Sequence, residues 1–540
     1  MRKLLAFILI IAALMIPSSS FAVNLPDKDI IIIYTNDVHC GVDDFIGYAG
    51  LELYKKQMQA QSPYVTLVDA GDAVQGATIG AISQGRYIIE IMNYLGYDVA
   101  VPGNHEFDYG WNQFENFTKN LKCGYISCNL RDSITGQLFL KPYKILKYGN
   151  TKVAYVGICT PESITKSTPS SFMDSLGNYI YDFCGDKTGE KLCAAVQKAV
   201  DQARDEGADF VIAVAHLGEY EDTPKEWSSP SVIAGTRGID ALIDGHSHEV
   251  TPGLKIKNLD GKEIIITQTG TKLKNIGRMT INTKGEISTE IISEVKGGRD
   301  NEADKFINEI KSRFEGTLNA HIGHSNFILR AMDDNGTWLV RNGETGLCNL
   351  ITDALLYSAK STKTGTADIA FYNGGGIRTN INPGELTYGS ALSVLPFSNT
   401  VCICEVSGQT ILDELEHGAR NFPERNGGFL HVAGMTYTIN GKIPSPVKIN
   451  EIGMLVSIEG ERRVSDVKIN GEPLDPEKLY KVVSTSYVLL AKGDGHIFKG
   501  AKILEPDYEV ACDSLVHYIK SLGEIPEKYK DSQNRITFIK

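Results

Sequence analysis

Residues 30–39 read IIIIYTNDVH, so an apolar run of four isoleucines and a tyrosine ends at two potential metal ligands, Asp37 and His39. A continuous apolar run of this kind predicts a strand buried on both faces, as in the parallel part of an α/β sheet. Short runs of the same type alternate with longer helical stretches from residue 29 to about residue 293, which predicts a layered α/β domain. Four more of these runs lead into polar side chains: Asp72, Asn104, His216, and the pair His246 and His248.

These polar side chains are expected to meet, because open α/β sheets carry their ligand sites beyond the carboxyl ends of the strands. Carboxylate, amide and imidazole groups without a thiolate favour zinc, manganese, cobalt or iron over a structural zinc knot. A catalytic ion takes about three protein ligands and a water, so seven candidates indicate two ions that share a carboxylate. Such a pair activates water for attack on a phosphate ester. One Asp or His after a strand is more often a cap, but five such clusters favour a metal site.

Four blocks in this half of the chain carry a family resemblance: TNDVH at 35–39, DAGD at 69–72, GNHEFD at 103–108 and GHSH at 245–248. They resemble the motifs of calcineurin-like metallophosphoesterases, and in particular the exported 5′-nucleotidase and UDP-sugar hydrolase branch. The resemblance implies a four-layer sandwich of two mixed sheets flanked by helices. It also implies that Asp72 bridges two ions, and it divides the ligands into two sets: Asp37, His39, Asp72 and His248 for one ion, and Asp72, Asn104, His216 and His246 for the other.

His105 and Asp108 form a candidate catalytic pair beside the ligand Asn104. Two neighbouring side chains do not easily face the same ion, so His105 is free to approach the substrate. By resemblance, His105 stabilises the transition state and Asp108 orients it. The alternative is a hydrogen-bonded structural pair. Glu106, between them, is interpreted as structural.

The chain is expected to have four parts. The basic start, the apolar run and the small residues up to Ala22 predict a signal peptide over residues 1–22. A metallophosphoesterase domain is expected over 23–300. Apolar residues three and four apart between Asn301 and Leu318 predict a linker helix within 301–320. A 5′-nucleotidase-type C-terminal α/β domain, which binds the substrate, is expected over 321–540.

The second domain holds the candidate substrate residues. Asn373 and Arg378 are the first and last residues of the sequence NGGGIR. Its glycines let the backbone approach a ligand, and the guanidinium of Arg378 offers a planar fork for phosphate. By resemblance this is a substrate loop, Phe429 in GGFL stacks on a nucleobase, and Asp494 in GDG binds ribose hydroxyls. The alternatives are a plain tight turn for the glycines and a buried core position for Phe429.

Two positions depart from the family pattern. Val488 stands where relatives carry a second stacking phenylalanine, and the preceding Tyr487 is the candidate to replace it. Gly343 stands where an additional phosphate-binding arginine is expected, and Arg341 is the nearest substitute. Loss of half an aromatic sandwich would weaken base selectivity, because stacking contributes roughly 1–3 kcal/mol per base.

Composition limits the partners. A net charge of −12 repels polyanions, so nucleic-acid polymers are not expected to bind, whereas a small phosphorylated ligand is compatible with local cations. The leader predicts a periplasmic or secreted protein, with no membrane anchor in the mature chain; monomer and dimer both stay open. Buried free thiols are expected for Cys159, Cys402 and Cys404. Whether Cys123 forms a disulfide with Cys128, or Cys184 with Cys193, is left open.

These features predict a dimetal hydrolase that releases phosphate from nucleoside 5′-monophosphates. It would use two divalent ions, zinc by preference, with manganese, cobalt or magnesium as alternatives. A nucleotide-sugar hydrolase or a 2′,3′-cyclic-nucleotide diesterase is the alternative, since the same metal pair attacks diesters. A non-catalytic metal-dependent binding protein is less compatible with the sequence, because it would have no use for His105.

Overall fold

The computed structural model describes residues 23–540 except 168, 174–177, 220–222 and 398. The predicted signal peptide lies outside the described residues. Within them, no helix combines the length and the apolar character that crossing a membrane requires. The chain folds into two α/β units joined by a helical connector.

The first unit contains thirteen described strands and seven described α-helices. The strands are β1 (Ile30–Thr35), β2 (Val65–Asp69), β3 (Val99–Ala100), β4 (Arg131–Asp132), β5 (Tyr143–Tyr148), β6 (Thr151–Cys159), β7 (Tyr181–Asp182), β8 (Phe210–His216), β9 (Ala241–Ile243), β10 (Val250–Lys257), β11 (Glu263–Thr269), β12 (Ile276–Ile281) and β13 (Ile287–Ile292). The helices are α1 (Gly47–Gln59), α2 (Thr78–Ser83), α3 (Arg86–Leu95), α4 (Trp111–Asn120), α5 (Ser163–Lys166), α6 (Glu190–Asp205) and α7 (Ser229–Ala234).

Two mixed sheets form the centre of this unit. Their strand orders are β13-β12-β1-β2-β3 and β10-β11-β9-β8-β6-β5. One apolar cluster joins the facing sides of the two sheets, and two others join their outer sides to helices. The predicted four-layer sandwich is therefore confirmed.

Strand β1 shows why its sequence is apolar throughout. Ile30, Ile32 and Tyr34 point into the cluster between the sheets, whereas Ile31 and Ile33 point into the cluster beneath the helices. Side chains alternate between the two faces of a strand, so a strand between two apolar layers needs an apolar residue at every position.

The second unit has two main sheets, β18-β15-β24-β17-β25 and β23-β22-β19-β26. One face of the first sheet packs against helices. Its other face packs against helix α12 (Gly408–Gly418) and the second sheet. The strands of the second unit are β14 (His321–Ser325), β15 (Ile369–Asn373), β16 (Gly384–Thr387), β17 (Thr400–Ser407), β18 (Leu430–Ala433), β19 (Met435–Asn440), β20 (Val447–Ile449), β21 (Leu455–Ile458), β22 (Val464–Ile469), β23 (Glu472–Pro473), β24 (Leu479–Thr485), β25 (Lys502–Val510) and β26 (Ile536–Ile539). Its helices are α10 (Gly346–Ala359), α11 (Tyr388–Val394), α12 (Gly408–Gly418), α13 (Ser486–Leu489) and α14 (Ala511–Leu522).

The connector differs from the single helix expected between Asn301 and Leu318. It consists of α8 (Asn301–Ser312) and α9 (Glu315–Leu318), with a break between them. Its apolar stripe packs on α3 of the first unit: Phe306 stacks on Tyr94 with ring centroids 4.2 Å apart, and Phe314 stacks on Tyr87 at 5.7 Å. These aromatic contacts, one in α8 and one at the break, attach the connector to the first unit.

All ten cysteines lie within the described residues, and none of them forms a disulfide there. Cys159, Cys402 and Cys404 are buried, as expected. The close pairs 123/128 and 184/193 are not joined by disulfides.

Gly277 in β12 faces Tyr34 of β1, and a Cβ atom there would lie 1.9 Å from the tyrosine ring. Because Tyr34 is fully buried, the substitution Gly277→Ala should lower the free energy of unfolding by about 1–3 kcal/mol through overpacking. Urea unfolding followed by circular dichroism measures this. Gly316→Ala is the control, since a Cβ there meets open space; equal midpoints for the two variants would contradict the packing described here.

Candidate metal centre and substrate cleft

The seven predicted ligands come from the carboxyl ends of strands in both sheets of the first unit. In one sheet β1, β2 and β3 are parallel neighbours, and in the other β8 and β9 are parallel neighbours. The chain segments that leave these strands meet at one edge of the sandwich. The side chains gathered there are Asp37, His39, Asp72, Asn104, His216, His246 and His248.

Three overlapping groups of candidate ligand atoms lie here, and one of them joins His39 and Asp72 to His105. The other two contain the predicted ligands. Asp37, His39 and His248 form one group, and Asp72 stands with His216 and His246 in the other. His248 Nε2 is 3.0 Å from His39 Nε2 and 3.4 Å from Asp37 Oδ1. Asp72 Oδ2 is 3.1 Å from His216 Nε2 and 3.8 Å from His39 Nε2, so this carboxylate reaches both groups.

The donor set fits a pair of divalent cations. Asn104 Oδ1 is buried and makes no hydrogen bond to any described residue, which costs free energy unless a cation or water faces it. His39 and His216 each use Nδ1 on a backbone carbonyl, of Gln75 at 2.9 Å and Ala70 at 2.7 Å. Their Nε2 atoms are thereby directed at the cluster, as in metal-binding histidines whose second nitrogen is fixed.

The backbone around these ligands is strained. Five of the seven ligands have positive φ angles, namely Asp37 (49°), His39 (44°), Asp72 (59°), His246 (84°) and His248 (59°). Residues other than glycine rarely adopt this region, and such strain concentrates at functional sites. The buried carboxylate of Glu106 accepts hydrogen bonds from the backbone N–H groups of Asp72 and Gly103, at 2.9 and 2.6 Å. Glu106 thus supports two ligand loops.

Electrostatics in the cluster favour a cation. Burial alone would raise the pKa of Asp37, but His248 and His216 outweigh it and lower the pKa to about 2. Burial, with His248 adjacent, lowers the pKa of His39 well below its ordinary value, which leaves a neutral imidazole. Burial opposes a proton on His216 as well, yet Asp72 and Asp37 raise its pKa to about 10. The same two carboxylates would attract a divalent ion.

His105 and Asp108 lie beside this cluster. His105 Nδ1 is 2.5 Å from Asp108 Oδ2, and the backbone N–H of His105 donates to Asp72 Oδ1 at 2.8 Å. Burial lowers the pKa of His105, but Asp108 and Asp72 outweigh it and raise the pKa above its ordinary value. Since Nδ1 is used by Asp108, Nε2 is the ring nitrogen left for a ligand.

A cavity of about 1170 Å³ opens above the cluster and is lined by both units. Arg378 enters it from the second unit, with Cζ 5.8 Å from the ring centroids of both Trp338 and Phe397. Arg341 Cζ lies 4.6 Å from the same Trp338 ring. Both arginines that were predicted to bind phosphate therefore lie against one tryptophan, Trp338, which was not predicted from the sequence.

Asn373, Asp494 and Tyr487 line the same cavity. Asn373 Nδ2 donates to Asp494 Oδ2 at 2.8 Å, so the two predicted substrate residues fix one another. The Tyr487 ring packs on Gly493, where a Cβ would lie 2.3 Å from it. Its hydroxyl accepts the backbone N–H of Asp494 at 3.2 Å.

Phe429 was predicted to stack on a nucleobase, but its ring does not face the cavity. It is 1% exposed and packs in the core of the second unit, with ring centroids 5.4 Å from His431 and 6.4 Å from Phe538. The backbone of Gly427 lines the cavity instead, and the chain then turns the aromatic ring inward. Val488 is fully buried in the same core. Tyr487 is thus the predicted aromatic residue that does reach the cavity.

Glu162 and Arg420 also line the cavity, although neither was predicted from the sequence as a site residue. Glu162 Oε2 lies 2.9 Å from His246 Nε2. It follows the apolar strand β6 by three residues, so the rule that identified the other ligands could have found it. Arg420 follows helix α12 and donates to the backbone carbonyl of His417 at 2.9 Å. Nothing in its local sequence pattern indicates a cavity position.

Comparisons with known proteins agree with this architecture. Residues 30–250 match the family model described as "Calcineurin-like phosphoesterase", and residues 321–502 match "5'-nucleotidase, C-terminal domain". The chain is 27% identical over 548 residues to a "Snake venom 5'-nucleotidase" of Naja atra, which covers 92% of this chain and 97% of that protein. It is 27% identical over 552 residues to "Trifunctional nucleotide phosphoesterase protein YfkN" of Bacillus subtilis (strain 168), with 92% of this chain covered. The match spans only 34% of that longer protein.

Among solved structures, a 5'-nucleotidase precursor from Thermus thermophilus superposes with a TM-score of 0.76. The superposition covers 95% of this chain and 99% of the other at 24% sequence identity, and it shows a shared fold. Fold and site together define a two-domain metal-dependent phosphoesterase. The chain belongs to the 5′-nucleotidase family, in which a calcineurin-like phosphoesterase domain precedes a 5′-nucleotidase C-terminal domain.

Asp72→Ala should reduce the number of divalent ions that the protein retains, because this carboxylate lies within reach of both ligand groups. Manganese binding measured by isothermal titration calorimetry should fall from two sites to one weaker site or none. Asp205→Ala, at the exposed end of α6, is the matched control and should bind as the unaltered protein does. Two unchanged sites in Asp72→Ala would contradict the shared position of this carboxylate.

Proposed function

We propose that this chain hydrolyses nucleoside 5′-monophosphates to nucleoside and inorganic phosphate, with two divalent cations, zinc by preference. The observation that carries the proposal is the single cavity in which the ligand cluster, the His105–Asp108 pair and the substrate residues of the second unit meet. A relative named 5'-nucleotidase aligns over nearly the whole chain, which supports the same substrate class.

The first unit supplies the groups for the chemical step. One ion would be held by Asp37, His39, Asp72 and His248, and the other by Asp72, Asn104, His216 and His246. When bound, two divalent cations activate water and stabilise the phosphoryl oxygens.

His105 acts beside the cations. Asp108 holds Nδ1 and keeps the ring in one orientation, and the raised pKa of His105 favours the protonated ring. Its Nε2–H can then donate to a phosphoryl oxygen or to the departing ribose oxygen. Assistance of this kind is typically worth about 10² to 10⁴ in rate.

The second unit binds the substrate, both at its phosphate and at its nucleoside. Arg378, with Arg341 next to it on Trp338, offers charge-assisted hydrogen bonds to the phosphate. The Asp494 carboxylate, which Asn373 orients, can accept hydrogen bonds from the ribose hydroxyls. Tyr487 is the candidate surface for the base, in place of the buried Phe429. Selectivity for the base is expected to be low, because one aromatic ring replaces a sandwich.

The same proposal extends to organisation and location. The catalytic domain would comprise residues 23–300, the linker 301–320 and the substrate domain 321–540. The sequence pattern of residues 1–22 supports export, to the periplasm or the medium.

A second activity, hydrolysis of nucleotide sugars or 2′,3′-cyclic nucleotides, is favoured by one observation. The cavity of about 1170 Å³ lies above the common range of ligand pockets, about 300–1,000 Å³, so it has room for a second group on the phosphate. The relative in Bacillus subtilis is named a trifunctional nucleotide phosphoesterase.

Phosphate release from a panel of nucleoside monophosphates, UDP-glucose and 2′,3′-cyclic AMP tests both candidates. We expect the monophosphates to be the best substrates, with little difference between bases. EDTA should abolish activity, and added manganese or zinc should restore it. Absence of chelator-sensitive release from every nucleotide would reject the proposal, and UDP-glucose as the best substrate would favour the second activity.

His105→Ala provides the control that separates catalysis from binding. It should lower kcat by about 10² or more while both manganese sites persist. An unchanged kcat would contradict the role given to His105.

A further inference from the structure

Residues 160–167 touch three parts of the site at once. They follow β6 at the same sheet edge as the metal ligands and include helix α5. Glu162 and Ser167 are 7% and 1% exposed, so their side chains face the protein interior. We name this stretch the bridging segment.

The first contact is with a predicted metal ligand. Glu162 Oε2 lies 2.9 Å from His246 Nε2 and accepts a hydrogen bond from Thr223 Oγ1 at 2.7 Å. An imidazole has two nitrogens, so a carboxylate on Nε2 leaves Nδ1 as the atom that can face the cluster of Asp72 and His216. Carboxylates in this position fix the tautomer and the ring orientation of metal-binding histidines.

The second contact is with the catalytic pair. Ser167 Oγ donates to Asp108 Oδ1 at 2.9 Å, while the other oxygen of Asp108 faces His105 at 2.5 Å. Ser167 therefore fixes the Asp108 carboxylate, which in turn orients the His105 ring. Because both Asp108 oxygens are engaged, the plane of the carboxylate is fixed.

The third contact crosses to the second unit. The Tyr487 hydroxyl donates to the backbone carbonyl of Thr165 at 3.2 Å and accepts the backbone N–H of Asp494 at 3.2 Å. One hydroxyl thus connects the predicted ribose-binding loop to the bridging segment. A movement of the second unit relative to the first would break this contact.

We propose that the bridging segment is a positioning element that couples docking of the second unit to the orientation of His246 and of the His105–Asp108 pair. Glu162 and Ser167 are its positioning residues, and Tyr487 is the docking contact. This inference rests on the proposed function for its kinetic consequences, but its consequence for metal binding does not depend on the substrate.

Manganese affinity of Glu162 variants tests the first contact without any turnover. Glu162→Ala should weaken one manganese site by about 10- to 100-fold, and Glu162→Gln, which keeps an acceptor oxygen, should weaken it less. Glu294→Gln, at an exposed carboxylate of the same unit outside the cavity lining, is the matched control. Two sites of unaltered affinity in Glu162→Ala would overturn this part of the proposal even if nucleotide hydrolysis proved wrong.

Steady-state kinetics with AMP test the second and third contacts. Ser167→Ala should lower kcat several-fold at constant KM and constant manganese content, and Ser167→Thr, which keeps the hydroxyl, should restore it. Tyr487→Phe should also lower kcat, because the ring remains but the docking hydrogen bond is lost.

The double variant measures the coupling. Since Ser167 and Tyr487 act through one segment, Ser167→Ala combined with Tyr487→Phe should lower kcat by clearly less than the product of the two single effects. Strictly multiplicative effects would show two independent contacts and would overturn the coupling. A Ser167→Ala enzyme with unaltered kcat would do the same.

Discussion

The Asp72 carboxylate lies between two groups of histidines and near the buried carboxylate of Asp37, and the rest of the site depends on this crowding. His39 and His216 are buried, and His246 and His248 are half-buried. Buried charged groups need partners, since desolvation penalises an isolated charge. Strands from two sheets deliver these groups to one edge, and positive φ angles at five ligands turn the side chains towards each other. The strain is tolerated because the surrounding layers are tightly packed and because Glu106 supports the loops. A pair of divalent cations would relieve the electrostatic cost that the fold imposes.

The second unit adds positively charged side chains above the cluster. The chain carries a net charge of −12, yet Arg341, Arg378 and Arg420 line the cavity above the cluster. Local positive charge of this kind attracts a small phosphorylated molecule while the overall field repels polyanions. Because the cavity is shared by both units, the geometry of the reaction centre depends on how closely they dock. The bridging segment is where that docking reaches the metal ligands.

Much of this arrangement could be predicted from the sequence because its signals are local. Apolar runs that end in Asp, Asn or His mark strands whose carboxyl ends meet, and the ligand cluster follows from that rule. The inward turn of Phe429 depends on the backbone at the preceding glycines, and sequence letters do not determine which way such a turn directs the next ring. The apolar spacing between Asn301 and Leu318 predicted one helix, but it does not reveal the break between α8 and α9 or the aromatic contacts with α3. The strand-end rule predicted His246 and could have identified Glu162, whereas the contact between the two residues required coordinates.

The central claim is that the clustered side chains hold two cations around one shared carboxylate. Anomalous diffraction from crystals grown with manganese, recorded above and below the manganese absorption edge, tests it most directly. Two anomalous peaks are expected about 3.5–4 Å apart, with the Asp72 carboxylate between them. A single peak, or two peaks that do not share Asp72, would contradict it.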